Sequence, residues 1–129
     1  MLIKRTVIAV LNDLGLFEKT EFIYLYSSVS KGTTNPLSDI DICVSINLPP
    51  ISRLKAQIKL QGHLSEGYDI TIFEDLPLYL QPEVLKGKLL YCKNRKKVVE
   101  RAFQVIRDFE DFQKIYEYYI ARDKSKVEI

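Results

Sequence analysis

Phe22-Ile23-Tyr24-Leu25-Tyr26-Ser27-Ser28 and, after the ten residues Val29 to Ser38, Asp39-Ile40-Asp41-Ile42-Cys43-Val44-Ser45-Ile46 carry the architecture of this chain. The run Phe22 to Tyr26 is β-branched and aromatic with no polar alternation, the signature of a strand buried on both faces. The run Asp39 to Ile46 alternates at its start and then turns apolar, as expected of a strand that begins at a cleft and ends in a core. Between them Gly32, Thr33, Thr34, Asn35 and Pro36 form an irregular segment, with one helical turn expected near Ser28 to Lys31. On a strand, Asp39 and Asp41 at i and i+2 share one face, about 7 Å apart along the chain.

Working outward, Leu2, Ile3, Val7, Val10, Leu11 and Leu14 recur at spacings of three and four, the period of an amphipathic helix, and Gly15 is a C-terminal cap. Pro49-Pro50 ends the second strand, and Ile51, Leu54, Ile58 and Leu64 on a polar background predict a surface helix. Tyr68 to Phe73 reads as a third strand containing Asp69. Pro77 and Pro82 restrict Leu76 to Lys86 to short helical turns, and Lys88 to Cys92 reads as a small edge strand. From Lys97 an apolar period continues for more than 20 residues without Gly or Pro, which predicts one long helix. Its wide aromatic stripe either packs on the chain's own sheet or serves in part as a dimer or partner surface.

The 129 residues argue for one compact unit, and 47% hydrophobic with 28% charged residues excludes disordered and collagen-like classes. A formal net charge of +2 is too weak to imply a nucleic acid or an anionic membrane as partner. The basic cluster Lys93, Arg95, Lys96, Lys97 and Arg101 opens a predicted helix, where a solvated face is the ordinary outcome. No apolar run approaches the roughly 18 residues of a membrane span, and the first residues lack signal-peptide features, so the expected location is cytoplasmic. Cys43 and Cys92 lack metal-ligand spacing and read as two buried reduced thiols, while His63, the single histidine, reads as a surface side chain.

Two carboxylates at a strand end are costly unless a cation neutralises them, and hard divalent ions such as Mg²⁺ prefer oxygen ligands of this kind. An isolated Asp-x-Asp is weak evidence, since chance gives about 0.5 occurrence per chain of this composition. Its context is more informative. Ser27 and Ser28 follow a strand, where small residues let backbone N–H groups and a hydroxyl approach phosphate oxygens, with Lys31 able to add positive charge. Asp69, inside an apolar strand, requires either an ion-pair partner or an open cleft.

These residues resemble the nucleotidyltransferase superfamily of DNA polymerase beta, in particular its minimal single-domain (MNT-type) members. The family signature is a hydrophobic residue, Gly, then Gly or Ser, about ten residues, Asp-hydrophobic-Asp, and later a third carboxylate flanked by hydrophobics. Tyr26-Ser27-Ser28, the ten residues Val29 to Ser38, and Asp39-Ile40-Asp41-Ile42 fit that spacing. Val29-Ser30-Lys31-Gly32 and Ser38-Asp39-Ile40-Asp41 match further family positions. Leu85-Lys86-Gly87-Lys88-Leu89-Leu90-Tyr91 resembles the end of such domains, so the likeness spans roughly Leu2 to Tyr91.

The resemblance implies an α/β (α+β) nucleotidyltransferase fold, a small mixed sheet flanked by helices with a long C-terminal helix. It divides the chain into a catalytic core, 1–92, and a helical extension of the same domain, 93–129. It implies Asp39, Asp41 and Asp69 as metal ligands and catalytic residues for two Mg²⁺ ions. Ser27, Ser28, Lys31, Gly32 and Ser38 become the nucleotide-binding residues, with ATP or another nucleoside triphosphate as substrate. The reaction implied is transfer of a nucleoside monophosphate, AMP from ATP, to an acceptor. Minimal members often pair with a HEPN-domain toxin as its antitoxin, which implies that partner. The family usually carries Gly where this chain has Ser27, and glycine permits close backbone approach. A degenerate antitoxin acting by protein binding alone therefore stays open, as do a small-molecule nucleotidyltransferase and self-association through the C-terminal helix.

Overall fold

The computed structural model describes residues 2–26 and 40–127. The apolar runs become four strands, β1 (Thr20–Tyr26), β2 (Ile40–Ile46), β3 (Tyr68–Ile72) and β4 (Lys88–Cys92), arranged in one sheet in the order β3-β2-β1-β4. β1 runs antiparallel to both β2 and β4, whereas β2 and β3 are parallel. A parallel pair cannot be joined by a tight turn, and α2 (Pro50–His63) supplies the crossover. The remaining helices are α1 (Leu2–Asp13), α3 (Gln81–Leu85) and α4 (Arg95–Val127).

Local sequence explains the element ends. Leu16 N–H donates to Leu11 C=O at 2.8 Å and Gly15 N–H to Asn12 C=O at 3.0 Å, with Gly15 at φ 70°. That is the Schellman stop, and it needs a residue that tolerates positive φ. Pro50 opens α2 at a position whose N–H would be unpaired anyway. In the segment holding Pro77 and Pro82, one turn around Pro77 to Leu80 precedes the short α3.

The sheet has a different cover on each face. On one, Ile23, Ile42, Val44, Ile46, Ile70, Ile72 and Leu90 meet Val7 and Leu11 of α1 and Ala56 and Leu60 of α2. On the other, Phe22, Tyr24, Cys43 and Phe73 meet Val84 of α3 and Val98 and Val105 of α4. β1 is thus buried on both sides, while the edge strand β4 leaves Cys92 only half-buried, where the sequence suggested a buried thiol. His63 is exposed, its Nδ1 2.8 Å from Lys59 C=O.

α4 answers the question left by its stripe in two parts. Val98 and Val105 are buried and Ala102 and Phe109 half-buried, so the first four turns pack on the sheet. At 3.6 residues per turn the same face continues through Phe112 and Tyr116, whose rings stack 6.2 Å apart yet are 44% and 56% exposed. Parts of the basic cluster are engaged internally: Lys93 Nζ donates to Glu18 C=O at 2.7 Å, and Arg101 lies over the Phe73 ring. Among the described residues, no helix is long and apolar enough to cross a membrane.

Gly87, between α3 and β4, lies against the end of β1, and a Cβ there would sit 2.3 Å from Leu25 O and 2.9 Å from Tyr26 Cβ. Gly87→Ala is therefore expected to destabilise the fold by about 1–3 kcal/mol through forced backbone displacement. Gly62→Ala, in α2 with nothing within 4 Å, should stabilise it by about 0.5–1 kcal/mol. Urea denaturation of both variants beside the parent checks the pair.

Candidate active site at the amino ends of the parallel strands

The register of the sheet aligns three side chains. Asp41 of β2 pairs with Asp69 of the parallel β3 and with Tyr26 of the antiparallel β1. Residues paired across strands point to the same face, so the two carboxylates stand side by side on strands about 4.8 Å apart, with the phenol beside them. One row deeper, Tyr24, Cys43 and Thr71 are paired in the same way. This face is the one covered further along by α3 and α4.

The outer edge of β3 is held by α2. Gln61 donates from Nε2 to Tyr68 C=O at 2.6 Å and accepts Ile70 N–H at Oε1 at 2.9 Å, so its amide brackets the backbone of Asp69 as a neighbouring strand would. Gln57 Nε2 adds a bond to Ile70 C=O at 2.9 Å. These bonds satisfy edge groups that would otherwise invite pairing with another chain. The start of β2 is tied to the turn before β3 by Ile40 N–H donating to Gly67 C=O at 2.9 Å.

Of the residues predicted for the site, Asp41 and Asp69 are brought together, both half-buried at the sheet end. Asp39, Ser27, Ser28, Lys31, Gly32 and Ser38 lie outside the described residues, as does the helical turn expected near Ser28 to Lys31. Sequence reading missed Tyr26, Thr71, Gln57 and Gln61 as residues that touch this end of the sheet. The glutamines did carry a signal, an i, i+4 amide pair on a surface helix, but only the sheet edge beside them gives it meaning.

A cleft of about 520 Å³ opens at the other end of the sheet, between β2, the turn after β3 and α4, and neither carboxylate lines it. There Glu74 is held in place by Ser45 Oγ donating at 2.5 Å and Ile46 N–H at 2.9 Å, with Arg101 3.7 Å away. These bonds fasten the segment after β3 to β2 and α4, away from the paired carboxylates.

Known proteins resemble this chain in sequence and fold. Residues 9–96 match the family described as Polymerase beta, Nucleotidyltransferase. The chain belongs to that nucleotidyltransferase family. A Methanocaldococcus jannaschii protein named as a protein adenylyltransferase, MJ1547, is 35% identical over 92 residues, covering 71% of each chain. A chain in the crystal structure of a toxin–antitoxin with AMP-PNP superposes with a TM-score of 0.68 at 27% identity, covering 92% of this chain and 96% of that one. A chain in the structure of a tri-AMPylated Shewanella oneidensis HEPN toxin in complex with MNT antitoxin gives a TM-score of 0.67 at 25% identity, with coverage of 94% and 95%.

For a member of this nucleotidyltransferase family the donor set is appropriate to a hard divalent cation, since Asp41 and Asp69 offer oxygen ligands from one face of adjacent strands. Among the described residues, no group of three or more His, Cys, Asp or Glu side chains forms a metal cluster; the third carboxylate of the motif, Asp39, lies outside them. Burial and neighbouring charge also act on the adjacent groups. The Tyr26 phenol is pushed up from its ordinary value of 10.0, first by burial, with Cys43, Asp41 and Asp69 adding and the Thr71 hydrogen bond opposing. Tyr24 moves the same way, first by burial and then through Cys92.

The Cys43 thiol is pushed from 9.0 up to about 12 by burial, against the Thr71 hydrogen bond and with the Glu74 charge adding. Above pH 9 the unfolded chain releases a proton that the folded chain retains, so this contribution is whole below pH 9 and is lost as pH rises toward 12. Urea stability is expected to fall from pH 8.5 to 10.5, with Cys43 contributing at most about 1.4 kcal/mol per pH unit. Cys43→Ala should show a shallower decline, and an unchanged slope would remove Cys43 as its source.

Proposed function

We propose that this nucleotidyltransferase transfers AMP from ATP to a partner protein, a HEPN toxin, and thereby acts as the antitoxin of the pair. The observation that carries the reading is the in-register pairing of Asp41 with Asp69 on one face of parallel strands. It is supported by a relative named as a protein adenylyltransferase and by the likeness to chains from an AMP-PNP-bound toxin–antitoxin and from a complex holding a tri-AMPylated HEPN toxin. The uncovered Phe112 and Tyr116 of α4 offer surface for a partner, in keeping with an acceptor that comes from a separate protein.

In this reading Asp39, Asp41 and Asp69 would hold two Mg²⁺ ions, and Ser27, Ser28, Lys31, Gly32 and Ser38 would grip the triphosphate. Bound there, the ions would supply charge neutralisation for the entering and leaving oxygens. The acceptor hydroxyl attacks the α-phosphorus in line. A new P–O bond forms, the bond to the β-phosphate bridging oxygen breaks, and pyrophosphate leaves. Asp69 would help to activate the attacking hydroxyl by taking up its proton. The cytoplasm, where ATP and such a toxin meet, is the location that fits.

The test is transfer of α-labelled ATP with Mg²⁺ to the HEPN partner recovered with the full chain. Label on the partner is expected with the parent protein, reduced by about a hundredfold or more in Asp41→Asn and Asp69→Asn while both variants keep the parent's melting temperature to within a few degrees. Undiminished labelling by both variants would reject the site. Nucleotide binding with no labelled protein would point to another acceptor or base, and no nucleotide binding at all would leave toxin neutralisation by contact alone.

A further inference from the structure

Beneath the carboxylate row a chain of hydroxyl groups crosses the sheet. Tyr26 of β1 reaches diagonally over β2, and its hydroxyl lies 3.3 Å from Thr71 Oγ1 on β3. The Thr71 hydroxyl is in turn 3.4 Å from Ile42 C=O on β2, and its single proton points there, because a carbonyl can only accept. That fixes the direction of the first bond: the Tyr26 O–H donates and Thr71 Oγ1 accepts. Thr71 is the cross-strand partner of the buried Cys43, the next residue inward from Asp41 on the same face.

Each residue of this chain has a carboxylate as its neighbour on the same face of the sheet. Tyr26 is the cross-strand partner of Asp41, and Thr71 follows Asp69 by one full pleat on the same face. An aromatic ring alone would fill the space above Cys43, and an apolar residue would suit position 71 as well as threonine does. The hydroxyls add direction and a link from β1 through β3 that backbone pairing does not provide, since β1 and β3 are not neighbours in the sheet.

We infer that Tyr26 and Thr71 are positioning residues, whose hydrogen bond across β2 sets the orientation of Asp41 and Asp69 for a divalent cation. The inference rests on the proposed reading of those two aspartates as cation ligands. Groups that orient ligating carboxylates without touching the ion commonly change affinity by about 10- to 100-fold when removed. The Tyr26→Phe substitution keeps the ring and deletes only the hydroxyl, Thr71→Val deletes the acceptor at constant shape, and Thr71→Ser restores it.

The experiment is titration of the full-length protein with Mn²⁺, following free ion by electron paramagnetic resonance, with thermal melts to verify folding. Expected are loss of binding in Asp69→Asn, binding weakened about tenfold in Tyr26→Phe and in Thr71→Val, recovery in Thr71→Ser, and a double variant little worse than either single one. If Asp69→Asn loses Mn²⁺ while folded Tyr26→Phe and Thr71→Val bind it like the parent, the positioning role is overturned and the carboxylate site stands. If the parent and Asp69→Asn are indistinguishable, both the site and the positioning role fall.

Discussion

The parallel pairing of β2 with β3 is the constraint from which the rest follows. Register by itself sets Asp41 beside Asp69, and a slip of one residue would turn one of the two toward the opposite face. A parallel pair demands a crossover, and α2 serves both as that connection and, through Gln57 and Gln61, as the closure of the β3 edge. The same helix buries Ala56 and Leu60 against the strands it joins, so connection, edge protection and core packing fall on one element.

The two ends of the sheet are put to different use. At the amino ends of β2 and β3 the row Tyr26, Asp41, Asp69 gathers two carboxylates at a half-buried surface, where a charged ligand can still be reached. At the opposite end Glu74 is 17% exposed and satisfied by Ser45 and the backbone of Ile46, with Arg101 beyond. Both ends bury acidic side chains. The Glu74 carboxylate is consumed in fastening α4 and the turn after β3 to the sheet, whereas the aspartates stand side by side on a half-buried face. The difference is one of position in the register rather than of residue type.

The stretch matching the nucleotidyltransferase family, residues 9–96, includes all four strands and ends at the start of α4. The helix beyond it is partly committed, through Val98 and Val105, and partly uncovered, through Phe112 and Tyr116. An uncovered continuation of a buried face is stable in water only because the helix is long enough to be nucleated and held by its packed half.

Much of this was present in the one-dimensional pattern. Phe22 to Tyr26 and Ile40 to Ile46 are strands because their β-branched and aromatic residues suit a pleated, buried surface. Gly15 stops α1 because it accepts a positive φ, and the absence of Gly and Pro after Lys97 permits one long helix. The motif spacing pointed to nucleotidyl transfer through its resemblance to the nucleotidyltransferase superfamily of DNA polymerase beta, whose small-residue turn and Asp-hydrophobic-Asp lie close together in the chain. The family resemblance already put Asp69 in one site with Asp41; what only the tertiary structure decided is the register that seats them opposite each other, and which other distant groups meet there, Gln61 around the backbone of Asp69 and the Tyr26 hydroxyl on Thr71, 45 residues away. Local pattern reports how a segment exposes its faces, but pairing partners are chosen by strand order and register, which depend on the packing of the whole sheet.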